Sequence, residues 1–358
     1  MMQIAYFPYL NMRNIEEIAF GDVKVWNFDR KAQDYIADEA LRERVKALLY
    51  SNVKNDQPLK NIGVVSIGAT DFRELTNGEL QQVDQVRLIF FLAFLAGVNV
   101  CARGLNAGHY MATSENFLLT MQNFDPASDH IAQTNGFLVS LSEGGYKIGQ
   151  LKFHAPPYVP TPFQFALDVN LILKLSVIQK RNKRLYERIL RATSILFESY
   201  YNDPNVSLYS RILMQASAFE VLLDLPERDQ RKVFKQKIKQ YTVRANEKSR
   251  RYFSERSGGR EAPETEPLKV IWADKFYTLR NHIIHGEHLS MREFVFQRKQ
   301  GHLVIAVMFF VLLVKELINE KLRRRSKYFT DNITWTKYFN GYETKEEFVY
   351  ERGVPPRK

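Results

Sequence analysis

HAPPYVPTPF, residues 154–163, places four prolines in ten positions. Proline lacks the amide proton that helix and sheet ladders need, and its ring fixes φ, so neither a helix nor a central strand can run through this segment. It separates two stretches of different patterning and predicts three regions: residues 1–160, residues 161–325 and a tail at 326–358.

Ahead of the prolines the signals are mixed. NIGVVSIGAT (61–70) is a β-branched run with glycines, DFRELTNGELQQVDQVRLIFFLAFLAG (71–97) turns helical, and GFLVSLSEGGYKIGQLKFH (136–154) reads as a hairpin around Gly144 and Gly145. An α+β domain is expected. Beyond the prolines, apolar residues recur at helical spacing, predicting helices near 164–201 (broken around 176–180), 206–224, 227–253, 267–285 and 293–324. Those elements make an all-α bundle. SERSGGREAPETEP (254–267) is polar and rich in Gly, Pro and Glu, so a mobile loop is expected there. The tail at 326–358 is aromatic-rich, which suits docking on a surface.

Charge divides along the same line. Residues 1–160 hold 14 Lys and Arg against 17 Asp and Glu, whereas 161–358 hold 37 against 23. A basic excess confined to the helical half favours a polyanionic partner, because each cation that meets a phosphate releases a counterion. It also suits a well-solvated helical surface. Three basic stretches interleaved with aromatics could contact RNA: KRNKRLYERILR (180–191), RKVFKQKIKQYTVR (231–244) and KLRRRSKY (321–328).

Two apolar runs, LIFFLAFLAGVNV (88–100) and LVIAVMFFVLLV (303–314), fall short of the roughly 20 residues that a membrane span needs. Both are expected to be buried core helices. MMQIAYFPYL has neither a basic n-region nor a small-residue cleavage site, and a cytoplasmic location is expected. The single cysteine, Cys101, excludes an internal disulfide framework and suits packing better than nucleophilic work. The sequence contains no P-loop and no G-x-S-x-G.

The densest chemistry lies in LKVIWADKFYTLRNHIIHG (268–286). Stepped at about 100° per residue, Trp272, Phe276, Leu279 and Ile283 form a core-facing stripe, while Asp274, Thr278, Asn281 and His285 fall roughly opposite, with His282 beside them. Gly286 stops the helix, and its dipole favours a positive charge on the nearby His285. Asn281 stands one turn before His285, close enough to orient the ring, and Arg280 supplies a fixed cation. A guanidinium, an amide and an imidazole suit a phosphodiester, where one neutralises, one positions and one moves a proton. Arg and His in a last helical turn also serve simply to satisfy the dipole.

On SLYSRILMQASAFEVLLDL (207–225), Glu220 falls at the edge of a broad apolar face. It is expected either to pair with Arg280 or to reach water at the rim. His282, His285 and His288 with Glu287 raise a metal site, but Gly286 ends the helix before His288 and no His-Glu-x-x-His or Cys pair supports one. No metal and no cofactor are expected.

FYTLRNHIIHG (276–286) resembles the Arg-x4-6-His signature of the HEPN superfamily (higher eukaryote and prokaryote nucleotide-binding domains), with Arg280 and His285 at the signature positions. ASAFEVLLDL (216–225) and the long apolar helix after the motif also look like that family's bundle, particularly its ApeA-like branch associated with anti-phage defence. The likeness covers roughly 180–325; residues 1–160 resemble no family we can name.

The resemblance implies a metal-independent endoribonuclease working as a homodimer, with two copies of the motif meeting across a two-fold axis. His285 would then be the general acid or base, Arg280 would stabilise charge on the phosphate and Asn281 would orient, with Glu220 and His282 in support. Attack by the RNA 2′-oxygen would leave 2′,3′-cyclic phosphate and 5′-hydroxyl ends. The chain would be a cytoplasmic defence or toxin-type nuclease whose α+β domain senses a phage-derived or regulatory trigger. The alternative is an HEPN-like module that binds a nucleotide or protein and does no chemistry.

Overall fold

The computed structural model describes residues 2–68, 72–97, 113–125, 130–133, 146–147, 152–157, 159, 167–201, 204–255, 260–296 and 300–322. These fall into two compact units, one drawn from Met1–Val98, His109–Ser176 and Tyr200–Asn205, the other from Asn99–Gly108, Val177–Ser199 and Val206–Lys358. Cys101, most of the 136–154 segment expected to form a hairpin, half of the proline-dense segment and the 326–358 tail lie outside the described residues.

The first unit is α+β, as expected. Its strands are β1 (Met2–Asn11), β2 (Glu17–Phe20), β3 (Val23–Asn27), β4 (Asn52–Lys54), β5 (Gln57–Pro58), β6 (Ile62–Ile67), β7 (Thr120–Phe124), β8 (His130–Gln133), β9 (Tyr146–Lys147) and β10 (Phe153–His154). Seven of them form an antiparallel sheet in the order β2-β3-β6-β1-β7-β8-β9. Alternate residues point to one face, so Ile4, Tyr6, Trp26, Ile62 and Val64 meet α1 (Phe28–Tyr35) and α2 (Glu39–Leu49) through Phe28, Val45, Leu48 and Leu49. Asn27 and Asp38 start the two helices by accepting the backbone N–H groups of Asp29 and of Ala40 and Leu41.

β6 approaches its neighbours closely at Gly63, where a Cβ would stand 2.8 Å from the Met12 sulfur. Helix α3 (Asn77–Gly97) buries every residue from Leu88 to Leu95, so the first apolar run is a core helix.

In the second unit the expected bundle is present. Helix α4 (Val169–Arg181) begins in the first unit, enters the second at Val177 and gives way to α5 (Lys183–Ser199) at Asn182, whose side chain accepts from the Leu185 N–H at 3.1 Å. The chain continues through α6 (Leu208–Leu223), α7 (Gln230–Thr242), α8 (Leu268–Ile284) and α9 (His302–Leu322). Helix α5 packs on α6, α7 on α8, and α9 on α6 and α7. Aromatic rings fill the centre: Trp272 stacks on Phe309 at 4.3 Å, and Phe219 meets Phe234 at 5.2 Å. Helix α9 is long and apolar enough to cross a membrane, yet 83% of its most apolar window is buried inside the protein.

Three expectations are corrected. The helix expected at 227–253 ends at Thr242, the one expected at 293–324 begins at His302, and the described residues of 249–267 form a hairpin in place of helix end and loop: β11 (Ser249–Glu255) pairs antiparallel with β12 (Glu261–Pro267) over their full length. The half-buried positions of β12 are Ala262, Glu264 and Glu266 and the exposed ones Glu261, Pro263 and Thr265, so the alternation carries no apolar signal. A short pair, β13 (Val295–Phe296) and β14 (Gln300–Gly301), precedes α9.

Candidate functional site

The carboxyl end of α8 is closed by a Schellman motif. Glu287 donates its N–H to the His282 carbonyl at 3.0 Å and Gly286 to that of Ile283 at 3.1 Å, with Gly286 at φ +69°. His285 is therefore the last residue before the glycine, exposed, with no hydrogen bond to its ring among the described residues. The stripe of Trp272, Phe276 and Leu279 is buried and Ile283 is half-buried, as the helical stepping predicts.

Arg280 is held from three sides. Its Nη2 lies 3.0 Å from Glu220 Oε1, its Nη1 donates to Asn281 Oδ1 at 3.2 Å, and its guanidinium sits 5.3 Å from the centre of the Tyr277 ring. Glu220 thus takes the first of its two expected roles, pairing with Arg280. The same Glu220 oxygen accepts the Tyr277 hydroxyl at 2.6 Å, and the Gln230 carboxamide lies 2.8 Å from that hydroxyl. Burial, then the Glu220 carboxylate, pushes the Tyr277 phenol well above its usual range, so it is a neutral donor. Tyr277 and Gln230 escaped the sequence reading, although Tyr277 stands three residues before Arg280 on the same face.

Two of the expected polar-stripe positions behave differently. Asn281 turns its side-chain oxygen to Arg280 and not to the His285 ring, because the guanidinium is the stronger donor within reach. Asp274 is 1% exposed: Arg231 grips both its oxygens at 3.0 Å, Lys235 lies at 3.4 Å and the Ser254 hydroxyl donates at 2.9 Å. Helical stepping put Asp274 opposite the core, but α7 and the hairpin cover that face. His282 is buried as well, its Nε2 3.0 Å from Glu255 of β11 and its Nδ1 3.8 Å from Glu287. Among the described residues no three His, Cys, Asp or Glu side chains are grouped to hold a metal ion.

A cleft of about 1120 Å³ opens between α7 and the hairpin, with Tyr277 and Asn281 on its wall. Part of the basic stretch at 231–244 lines it, and most of those cations are engaged, Lys235 with Glu264 at 2.8 Å and Lys239 with Glu266 at 2.7 Å, while Arg244, off the cleft, meets Glu316 at 3.2 Å. In the 180–191 stretch Arg184 is largely exposed and Arg188 lies 3.5 Å from Asp224. Most of the 321–328 stretch is outside the described residues.

Comparison with known proteins finds no matching family model, no matching curated protein and no matching solved structure.

Proposed function

We propose that the helical unit is an HEPN-like domain acting as a metal-independent endoribonuclease of a defence or toxin type. One arrangement carries this: Glu220 fixes Arg280 beside Tyr277, while His285, five residues on, stays exposed with an unbonded ring. A positioned cation and a free imidazole at one helix end supply charge stabilisation and proton transfer.

The 2′-oxygen of the substrate attacks phosphorus, a P–O bond to the 5′-oxygen breaks, and the products are a 2′,3′-cyclic phosphate and a 5′-hydroxyl. An internal nucleophile removes the need for a metal-activated water. Arg280 and His285 stand about 140° apart round the helix axis, so a second copy is the natural source of the complementary group. In such a homodimer one His285 takes the 2′-hydroxyl proton and the other delivers one to the leaving oxygen. The test is RNA cleavage in excess EDTA with mapping of product ends, comparing the wild type with Arg280→Ala and His285→Ala.

A non-catalytic module that holds a nucleotide or a protein is the alternative, favoured by the neutralisation of Arg280 by Glu220 and by Asn281 facing away from His285. Calorimetry with RNA and nucleotides beside the cleavage assay separates the two, since tight binding without turnover belongs to the module.

A further inference from the structure

Helices α7 and α8 run antiparallel, because Arg231 meets Asp274, Gln230 meets Tyr277, and Lys269 reaches the Thr242 carbonyl. The start of α7 therefore lies beside the end of α8 that carries Arg280 and Asn281. The cleft follows α7 from Lys239 to that end, with Asn281 among its lining residues.

Its two long walls are matched in register. Lys235 and Lys239 are four residues apart on a helix, roughly 6 Å, and Glu264 and Glu266 are two apart on a strand, roughly 6.6 Å. Each lysine therefore finds one hairpin carboxylate, at 2.8 and 2.7 Å, and Lys235 also lies 3.4 Å from the buried Asp274 of α8. An extended single nucleic-acid strand presents its phosphates at a comparable step. Arg231 differs from the two lysines: its bidentate partner Asp274 is buried and belongs to α8. Lys239 is 54% exposed, and Lys232 and Arg260, also on the cleft, are exposed with no ion pair among the described residues. Two lysines held by exchangeable carboxylates, flanked by open cations and leading to Asn281, make a track for a polyanion.

We propose that this cleft is a binding groove for single-stranded RNA, and that Glu264 and Glu266 of β12 act as built-in phosphate mimics which RNA must displace from Lys235 and Lys239. The choice of RNA rests on the ribonuclease proposal; the competition between carboxylate and phosphate does not. Moving Glu264 out also breaks its bond from the Tyr252 hydroxyl at 3.0 Å, while the hairpin stays anchored by the buried Tyr252 ring and by Ser254, whose hydroxyl donates to Asp274 at 2.9 Å. A groove screened in this way binds weakly until its acids are moved.

Fluorescence anisotropy with a short oligouridylate tests it, using the full chain with His285→Ala to prevent cleavage. Glu264→Gln/Glu266→Gln should bind roughly three- to tenfold tighter, the worth of two part-exposed ion pairs. Adding Lys235→Gln/Lys239→Gln should abolish the gain and lower the slope of log affinity against log salt by about 1.4, two single-strand phosphate contacts. Should a variant fail to fold, lysine acetylation of the otherwise unaltered chain gives an independent measure, with oligouridylate protecting Lys232 and Lys239 but not Lys24. Unchanged affinity in the folded glutamine variant, or no protection at Lys232 and Lys239, overturns the groove. A polyglutamate peptide of equal charge that binds as tightly overturns the assignment to RNA. His285-dependent cleavage with no effect of the groove substitutions would sink the groove alone; binding that obeys these rules without cleavage would sink the nuclease alone.

Discussion

Glu220 Oε1 accepts from both the Tyr277 hydroxyl and Arg280, so the orientation of the guanidinium depends on the phenol. Tyr277→Phe should lower stability by about 1.5–3 kcal/mol in urea melts, the range for a hydrogen bond to a charged group, and reduce cleavage less than Arg280→Ala does. Elsewhere in the unit, His302 is buried against Trp272, Phe276 and Phe296, and burial, followed by the nearby Lys275 charge, pushes its pKa down to about 3. The unfolded chain takes up that proton near pH 6.5, so the contribution of neutral His302 is full above that pH and is lost as pH falls towards 3, at about 1.4 kcal/mol per unit. Replacing His302 with Leu should flatten the decline in stability between pH 6.5 and 5, as followed by thermal melts. At this scale Arg280, His285 and Glu220 were legible because helical stepping and charge type locate them. Asn281 was misassigned because stepping gives a face and not which of two neighbours wins an amide.

At the scale of elements, the hairpin is what the sequence concealed. A strand is recognised by apolar residues on its inward face, yet β12 turns Glu264 and Glu266 inward onto lysines of α7. Its fold depends on lysines of a partner helix 27 and 29 residues earlier, beyond the reach of local pattern. The same docking explains why Asp274 and His282 are buried despite lying off the core stripe. Asp274 joins α7, β11 and α8 in one network, so Asp274→Ala leaves Arg231 facing an emptied site and should cost about 3–5 kcal/mol, read by denaturant titration. Loss of under 1 kcal/mol would mean that the hairpin and α7 are held mainly by apolar contact. By contrast, α3 and α9 were readable as core helices because their apolar runs, continuous yet shorter than a membrane span needs, call for burial inside the protein.

For the molecule as a whole, the charge asymmetry suited either a polyanion partner or a solvated helical surface, and the fold bears on both. Much of the basic excess on α7 is spent on internal acids, which leaves the groove to be opened by competition and not by charge alone. The α+β unit with its antiparallel sheet and the helical unit were both foreseen from patterning, since sheet and bundle impose different periods on the chain. The central claim is that His285 and Arg280 cleave RNA through its own 2′-oxygen. Incubating the purified chain with RNA in excess EDTA and sequencing the products is the most direct measurement. The wild type should give 2′,3′-cyclic phosphate ends, and His285→Ala should lose at least about a hundredfold in cleavage, the usual scale of general acid–base catalysis. Cleavage that persists undiminished in His285→Ala and Arg280→Ala, or that disappears in EDTA, would contradict it.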